Sequence, residues 1–252
     1  YNINMLKIFW DTDNIAFIGN QVNATEHSHC VIQLFLSLDN PLQLIVNGKQ
    51  ISGNCIMVNK NTRHIFSCDN KIRVSILIEP SSSFAKELIK KIDGDYLIYN
   101  NGLEHIQQKA ALLLNTNDKR KYENFIQDFA TYLGIKRNSK ILDERIITLL
   151  EKLQNCDCYD HTIDSFAKSV CLSSSRLSHL FREQIGVPLK SYIIFHQLEK
   201  AFTVLLNGAN ITDAAMLAGF DSPSHFAATV KKWMGTPVSA SMKDSDFLKV
   251  FI

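Results

Sequence analysis

The sequence of 252 residues lacks any run of about 18 apolar residues, so no transmembrane helix is expected. It lacks an opening basic region followed by an apolar one, so no signal peptide is expected. It begins at Tyr1 rather than Met, so the N-terminus is expected to be trimmed. Its six cysteines, at 30, 55, 68, 156, 158 and 171, lack the spacing of a secreted disulfide framework and read as reduced thiols of a cytoplasmic protein. Cys156-Asp157-Cys158 has no second ligand pair nearby and reads as incidental. An excess of one charge sign is also missing. Against 27 Lys and Arg stand 25 Asp and Glu, and a net charge of +2 argues neither for nor against nucleic acid. What is present is ordinary globular composition, 46% hydrophobic and 21% charged, in a chain long enough for one large domain or two.

Residues 1 to about 80 read as β-rich. Val31–Leu38 is an apolar run whose even positions, Ile32, Leu34, Leu36 and Leu38, make one aliphatic face. Leu42–Val46 is a second strand, and Asn47-Gly48 after it is a strong hairpin signal, because a type I′ turn needs positive φ at both positions. Ile56–Val58, Ile65-Phe66 and Val74–Ile78 complete a set of short strands joined by polar turns, the pattern of a sandwich or small barrel. Glu79-Pro80-Ser81-Ser82-Ser83 breaks it, and helical spacing dominates from Phe84. One helix is predicted over 117–134 and another over Leu142–Leu153, with Arg137–Lys140 as a linker.

The last third contains an internal repeat. Ile163-x3-Ala167, Leu172, Leu177, Phe181 and Gly186-x-Pro188 recur as Ile211-x3-Ala215, Phe220, Phe226, Val230 and Gly235-x-Pro237, offset by 48 residues at the start and 49 at the end. Each copy reads as helix, tight turn, helix: a helix-turn-helix unit, whose second helix enters the DNA major groove. The second helices are predicted over Ser174–Ile185 and Pro223–Met234, and a long helix over Leu189–Leu206 connects the copies.

With Leu177-Ser178-x-Leu180-Phe181, Leu198-x2-Ala201 and Gly219-Phe220 added to these positions, residues from about 141 to 241 resemble the DNA-binding domain of AraC-type transcription regulators. The N-terminal part is similar to the cupin-like effector domain such regulators carry, with His27-Ser28-His29, Asn47-Gly48 and His64 in order. The resemblance implies an α+β chain with a cupin-like β-domain (1–82), a helical dimerisation segment (83–138) and an all-α DNA-binding domain (141–252) with helix-turn-helix units at about 163–186 and 211–235. It further implies promoter DNA, a small organic effector and RNA polymerase as partners, and a homodimer.

In the first recognition helix, Ser174, Ser175, Arg176, Ser178, His179 and Arg182 lie off the Leu177-Leu180-Phe181 face and are candidate DNA contacts. By resemblance, Ser175, Ser178 and His179 stand at base-reading positions, with His179 where the family usually has a basic residue. The second helix offers Ser224, His225, Lys231 and Lys232, but Ala227 and Ala228 stand where the family often has a hydroxyl residue and an Arg. Gln197 replaces an Arg common in the connector helix, and the Tyr-Arg usual after the last Pro is absent. Ser239–Ile252 is instead an extension with an apolar end. Residues 141–252 hold 11 Lys and Arg against 12 Asp and Glu, so a basic footprint must come from uneven distribution.

His27, His29, Gln33 and His64 are the candidate effector contacts. In metal-binding cupins two His, a Glu and a third His surround the ion; here Gln33, a weaker neutral ligand, stands where the Glu would be. His27 and His29 are expected to share a strand face at odd positions, opposite the aliphatic even face of Val31–Leu38, which is the better core candidate unless both faces are buried. Effector contact, metal ligation by His27, His29 and His64, and a plain structural role all stay open; no metal or cofactor is assigned. The chain is expected to be a ligand-responsive DNA-binding regulator and not an enzyme. The alternatives are a cupin-type metalloenzyme with a helical appendage, and a regulator acting through protein partners.

Overall fold

The computed structural model describes residues 6–11, 13–20, 23–135, 142–154 and 162–238, and the backbone of 248–251. The chain forms two compact units, Tyr1–Asn138 with Lys231–Ile252, and Ser139–Val230. The Arg137–Lys140 linker and the Cys156/Cys158 pair lie outside the described residues.

The first unit contains β1 (Leu6–Asp11), β2 (Asn14–Gly19), β3 (Ala24–His27), β4 (Ile32–Ser37), β5 (Leu42–Val46), β6 (Lys49–Gly53), β7 (Cys55–Val58), β8 (His64–Phe66) and β9 (Arg73–Ile78). Then come α1 (Ser83–Lys91), β10 (Tyr96–Tyr99), α2 (Glu104–Leu113) and α3 (Lys119–Tyr132). Two sheets result: a seven-stranded one in the order β10-β7-β4-β9-β2-β1-β11, where β11 is Leu248–Phe251, and a four-stranded one in the order β3-β8-β5-β6. The end of the C-terminal extension thus pairs with β1 in parallel.

Every residue of β4 is buried. Ile32, Leu34 and Leu36 join a core with Phe84 of α1 and Tyr122, Phe125 and Phe129 of α3. Phe35, facing the other way, joins Leu44, Val46, Ile51 and Phe66 in a second core. Both faces of this strand are therefore interior, which is why alternation alone could not tell whether the odd-numbered side chains were outside. On β5 alternation does hold: Leu42, Leu44 and Val46 are buried while Gln43 and Ile45 are exposed. Asn47 and Gly48 have φ of 47° and 77°, closing the β5–β6 hairpin through the Val46–Lys49 pair as a type I′ turn requires.

Five described strands, β1, β2, β3, β10 and β11, were not resolved by the sequence pattern, and β6 was implied only by the Asn47-Gly48 hairpin signal. β3 is short, with a register irregularity against β8. β10 is a four-residue half-buried edge strand within a stretch whose spacing reads as mainly helical, and so short an apolar run does not distinguish strand from helix.

The second unit is helical: α4 (Glu144–Gln154), α5 (Ile163–Ser169), α6 (Ser174–Ile185), α7 (Leu189–Leu206), α8 (Ile211–Leu217) and the part of α9 (Pro223–Met234) up to Val230. α6, α7 and α9 occupy the bounds read from the sequence. The repeat is visible in the hydrogen bonds. Cys171 (φ 54°) and Gly219 (φ 79°) occupy equivalent left-handed positions. Leu172 N–H donates to Ala167 O at 2.9 Å, and Phe220 N–H to Ala215 O at 3.0 Å. Ser173 Oγ accepts from Arg176 N–H at 3.3 Å, and Ser222 Oγ from His225 N–H at 3.1 Å, so each copy's second helix starts on a serine cap. The offset is 48 before the cap and 49 from it, which makes Asp221 the inserted residue. No described helix is long and apolar enough to cross a membrane.

Candidate functional site

Two groups of chemistry-bearing side chains stand out, one in each unit. In the first, strand pairing brings together residues far apart in sequence. β3 pairs with β8 so that His27 lies opposite His64. β4 lies in the other sheet and directs Gln33 toward them, and His29 sits in the loop between β3 and β4 rather than on a shared strand face with His27. The rings of His27 and His64 are 4.2 Å apart, and His29 lies 5.5 and 5.2 Å from them. All four side chains are buried, with relative exposures of 6% (His27), 6% (His29), 8% (Gln33) and 1% (His64).

Each imidazole uses Nδ1 on a backbone carbonyl: His27 on Thr25 O (2.8 Å), His29 on Val31 O (3.0 Å) and His64 on Thr62 O (2.9 Å). A carbonyl only accepts, so the one proton of each neutral ring is on Nδ1 and Nε2 carries a lone pair. Gln33 Oε1 lies 2.8 Å from Nε2 of both His29 and His64, and Gln33 Nε2 donates to Ser75 Oγ at 2.8 Å. Burial pulls the His29 imidazole down to about 4 and that of His64 to about 3, with neighbouring imidazoles adding to it. Burial also lowers His27, against hydrogen bonds with the Thr25 and His64 backbone. All three are thus neutral at pH 7.

Sequence reasoning brought these four residues forward but missed those around them. Ser75 anchors Gln33, and its signal was a hydroxyl within the apolar run Val74–Ile78 of the almost wholly buried β9. Phe35 lies 6.1 Å from the His64 ring and Trp233 lies 6.3 Å from the His29 ring. Gly235 O accepts from Thr25 N–H (3.0 Å) and Thr25 Oγ1 (2.6 Å). A Cβ at Gly235 would stand 2.4 Å from Thr25 O and 2.8 Å from His27 Nδ1, so only glycine fits there, at φ +67°.

In the second unit, α6 buries Leu177, Leu180, Phe181 and Ile185 and turns its polar residues outward. Those six are not equivalent. Ser174 Oγ donates to Asp164 Oδ1 across the helix pair, and Ser178 Oγ donates to Ser174 O at 2.8 Å. Ser175, Arg176, His179 and Arg182 are exposed, and Ser175, His179 and Arg182 follow one another at helical spacing along a stripe. On α9, Ser224 and His225 are exposed, with His225 Nδ1 3.1 Å from Asp221 Oδ2; Ala228 is exposed as well. Lys231 and Lys232 are exposed in its last turn. Gln197 of α7 donates through Nε2 to Gly219 O at 2.7 Å, tying the connector helix to the α8–α9 turn; the sequence showed only that it was not the usual Arg.

Residues 166–244 match the family model of a helix-turn-helix domain. Over 78 residues the chain is 37% identical to the arabinose operon regulatory protein of Salmonella typhimurium, covering 31% of this chain and 28% of that protein. The similarity to this AraC-type regulator is thus confined to the helix-turn-helix part of the chain. It is also 26% identical over 93 residues to the xylose operon regulatory protein of Escherichia coli K12, covering 36% of this chain and 24% of that one. The aligned parts thus span less than a third of the length of these curated AraC-type relatives. Over most of the chain the fold is similar to that of ToxT from Vibrio cholerae. Its apo variant superposes with a TM-score of 0.61 at 16% identity, covering 92% of this chain and 97% of that one. A ToxT structure with a bound unsaturated fatty acid gives 0.58 at 16% identity, covering 92% and 95%. At such identities the likeness is one of fold: a β-rich N-terminal part and a helical C-terminal part.

Proposed function

We propose that this chain is an AraC-type, sequence-specific DNA-binding transcription regulator whose β-rich N-terminal unit, cupin-like in its two sheets, senses a small molecule. The observation that carries the reading is the repeated helix pair. α5–α6 and α8–α9 share hydrogen-bonded turns and serine caps, and α6 presents Ser175, His179 and Arg182 as an exposed stripe. They serve as helix-turn-helix units, at about 163–186 and 211–235. α6 reads bases through Ser175 and His179, while Arg176, Arg182, Lys231 and Lys232 meet phosphates. The domains run 1–82, 83–138 and 141–252, and helices of the middle segment mediate a homodimer that acts with RNA polymerase on cytoplasmic promoter DNA. The unsaturated fatty acid bound by ToxT is the first organic effector to test. Effector binding shifts the population of DNA-competent arrangements, which requires unequal affinity for the two states.

The test is selection of bound fragments from a random DNA pool by the full chain at low salt. Two enriched blocks about ten base pairs apart are expected. A single block assigns base reading to α6 alone, and no enrichment overturns the proposal. The second reading, action through protein partners, draws on the exposed Ala228 and on Asp221 beside His225, which oppose base reading and phosphate contact by α9.

A further inference from the structure

We infer that His27, His29 and His64, with Gln33, form a binding site for one divalent d-block metal ion of the zinc, cobalt or nickel type. The inference names a ligand class for the sensing unit. It rests on the regulator reading only in treating that unit as the sensor.

The first support is convergence. The three histidines present ligand nitrogens within 4.8 Å of one another. A tetrahedral ion with metal–nitrogen bonds of about 2.0–2.1 Å sets such nitrogens about 3.4 Å apart, so the rings need to draw in by little more than an ångström.

The second support is the hydrogen-bond inventory. The Nδ1 proton of every ring is committed to a main-chain carbonyl, at Thr25, Val31 and Thr62. This is the outer-shell arrangement that fixes a ligating imidazole's tautomer and turns its Nε2 lone pair to the ion. Gln33 Oε1, a further lone-pair donor, faces Nε2 of His29 and His64, while its NH2 group is directed to Ser75. Imidazole nitrogens and a carbonyl oxygen thus gather with no proton among them. A cation satisfies that arrangement. Without one, Gln33 must turn over, giving its two N–H hydrogens to the two Nε2 atoms and accepting from the Ser75 hydroxyl. The amide is therefore a two-position cap, NH2 inward when the site is empty of metal and Oε1 inward when it is filled.

The third support is selectivity by donor type. Imidazoles with one neutral oxygen suit zinc, cobalt, nickel or copper, whereas calcium and magnesium require sets rich in oxygen. No carboxylate belongs to the group, so the filled site keeps the full ionic charge, which favours a modest, exchangeable affinity over permanent retention.

The experiment uses the full chain, stripped with chelator and dialysed, with Co2+ and Zn2+ alone as probes and no DNA present. Expected are visible d–d bands of tetrahedral intensity saturating at one Co2+ per chain, loss of those bands on adding Zn2+, and a rise in Tm with either ion. Trp233 fluorescence should be quenched by Co2+ in step with the bands, and the quench should vanish in Trp233→Phe while the bands remain. His64→Ala should weaken Co2+ by roughly 100-fold or more. Gln33→Glu, which supplies a carboxylate, should tighten it by about tenfold or more, and it decides the matter if the alanine variant fails to fold. Octahedral-type spectra, thiolate charge-transfer bands, or an affinity unmoved by Gln33→Glu and His64→Ala overturn the inference. Because no DNA is present, failure here leaves the DNA-selection result standing, and failure of that selection leaves this one.

Discussion

Alanine substitution along α6 separates residues that merely sit on the outer face from those free to meet DNA. The Ser178 hydroxyl already donates to Ser174 O at 2.8 Å, and Ser174 is engaged by Asp164. Ser178→Ala removes a bond internal to the helix, whose loss on such a surface changes free energies by about 0.5 kcal/mol or less, roughly twofold in affinity. His179 is exposed one turn beyond Ser175 on the same stripe. If it reads a base edge, His179→Ala costs about 1–3 kcal/mol on the preferred sequence, about 5- to 150-fold, and little on scrambled DNA. Arg182→Ala and Arg176→Ala act on phosphate, weakening both duplexes alike and lowering the salt slope by about one each. Fluorescence anisotropy with the selected site and a scrambled duplex, at several salt concentrations, distinguishes the three behaviours. Equal loss of discrimination in Ser178→Ala and His179→Ala would refute the division, because a hydroxyl committed to the helix backbone would then be reading DNA.

In the presence of chelator, the buried histidines make the first unit sensitive to acid. Their folded values, about 4 for His29 and about 3 for His64, lie below the unfolded value of 6.5, so the unfolded chain binds more protons between those limits. Stability is complete above pH 6.5 and falls toward pH 4, with His29 alone contributing on the order of 3 kcal/mol; urea titrations with a flat midpoint between pH 7 and 4.5 would contradict this. Phe35→Ala opens the core between the sheets, where its ring lies 4.5 Å from that of Phe66, and should cost about 3–5 kcal/mol, read as a lower urea midpoint. Gln197→Ala removes the bond to Gly219 O and should cost about 0.5–1.5 kcal/mol in thermal unfolding, with weaker protection of the second DNA block in footprinting and the first unchanged.

The helical third was the most legible part of the chain. Caps, turns and apolar faces of α5 to α9 are set by residues within a few positions of one another, so the repeat and the bounds of α6, α7 and α9 could be read from the linear pattern alone. The Asn47-Gly48 hairpin was legible for the same local reason. The β-rich unit was legible in class but not in detail. Its short edge strands carry weak signals, and alternation along β4 could not say which face was interior, because helices cover one face and a second sheet the other. The sequence by itself determined which residues carry chemistry: the histidines, Gln33 and the polar face of α6. Only the tertiary structure decided what they are available for. The register that sets His64 opposite His27, the Ser75 anchor of Gln33 and the commitment of Nδ1 protons to the backbone all depend on pairing between distant strands. The Ser178 hydroxyl proton is committed to Ser174 O by the direction of one rotamer, which residue spacing does not encode.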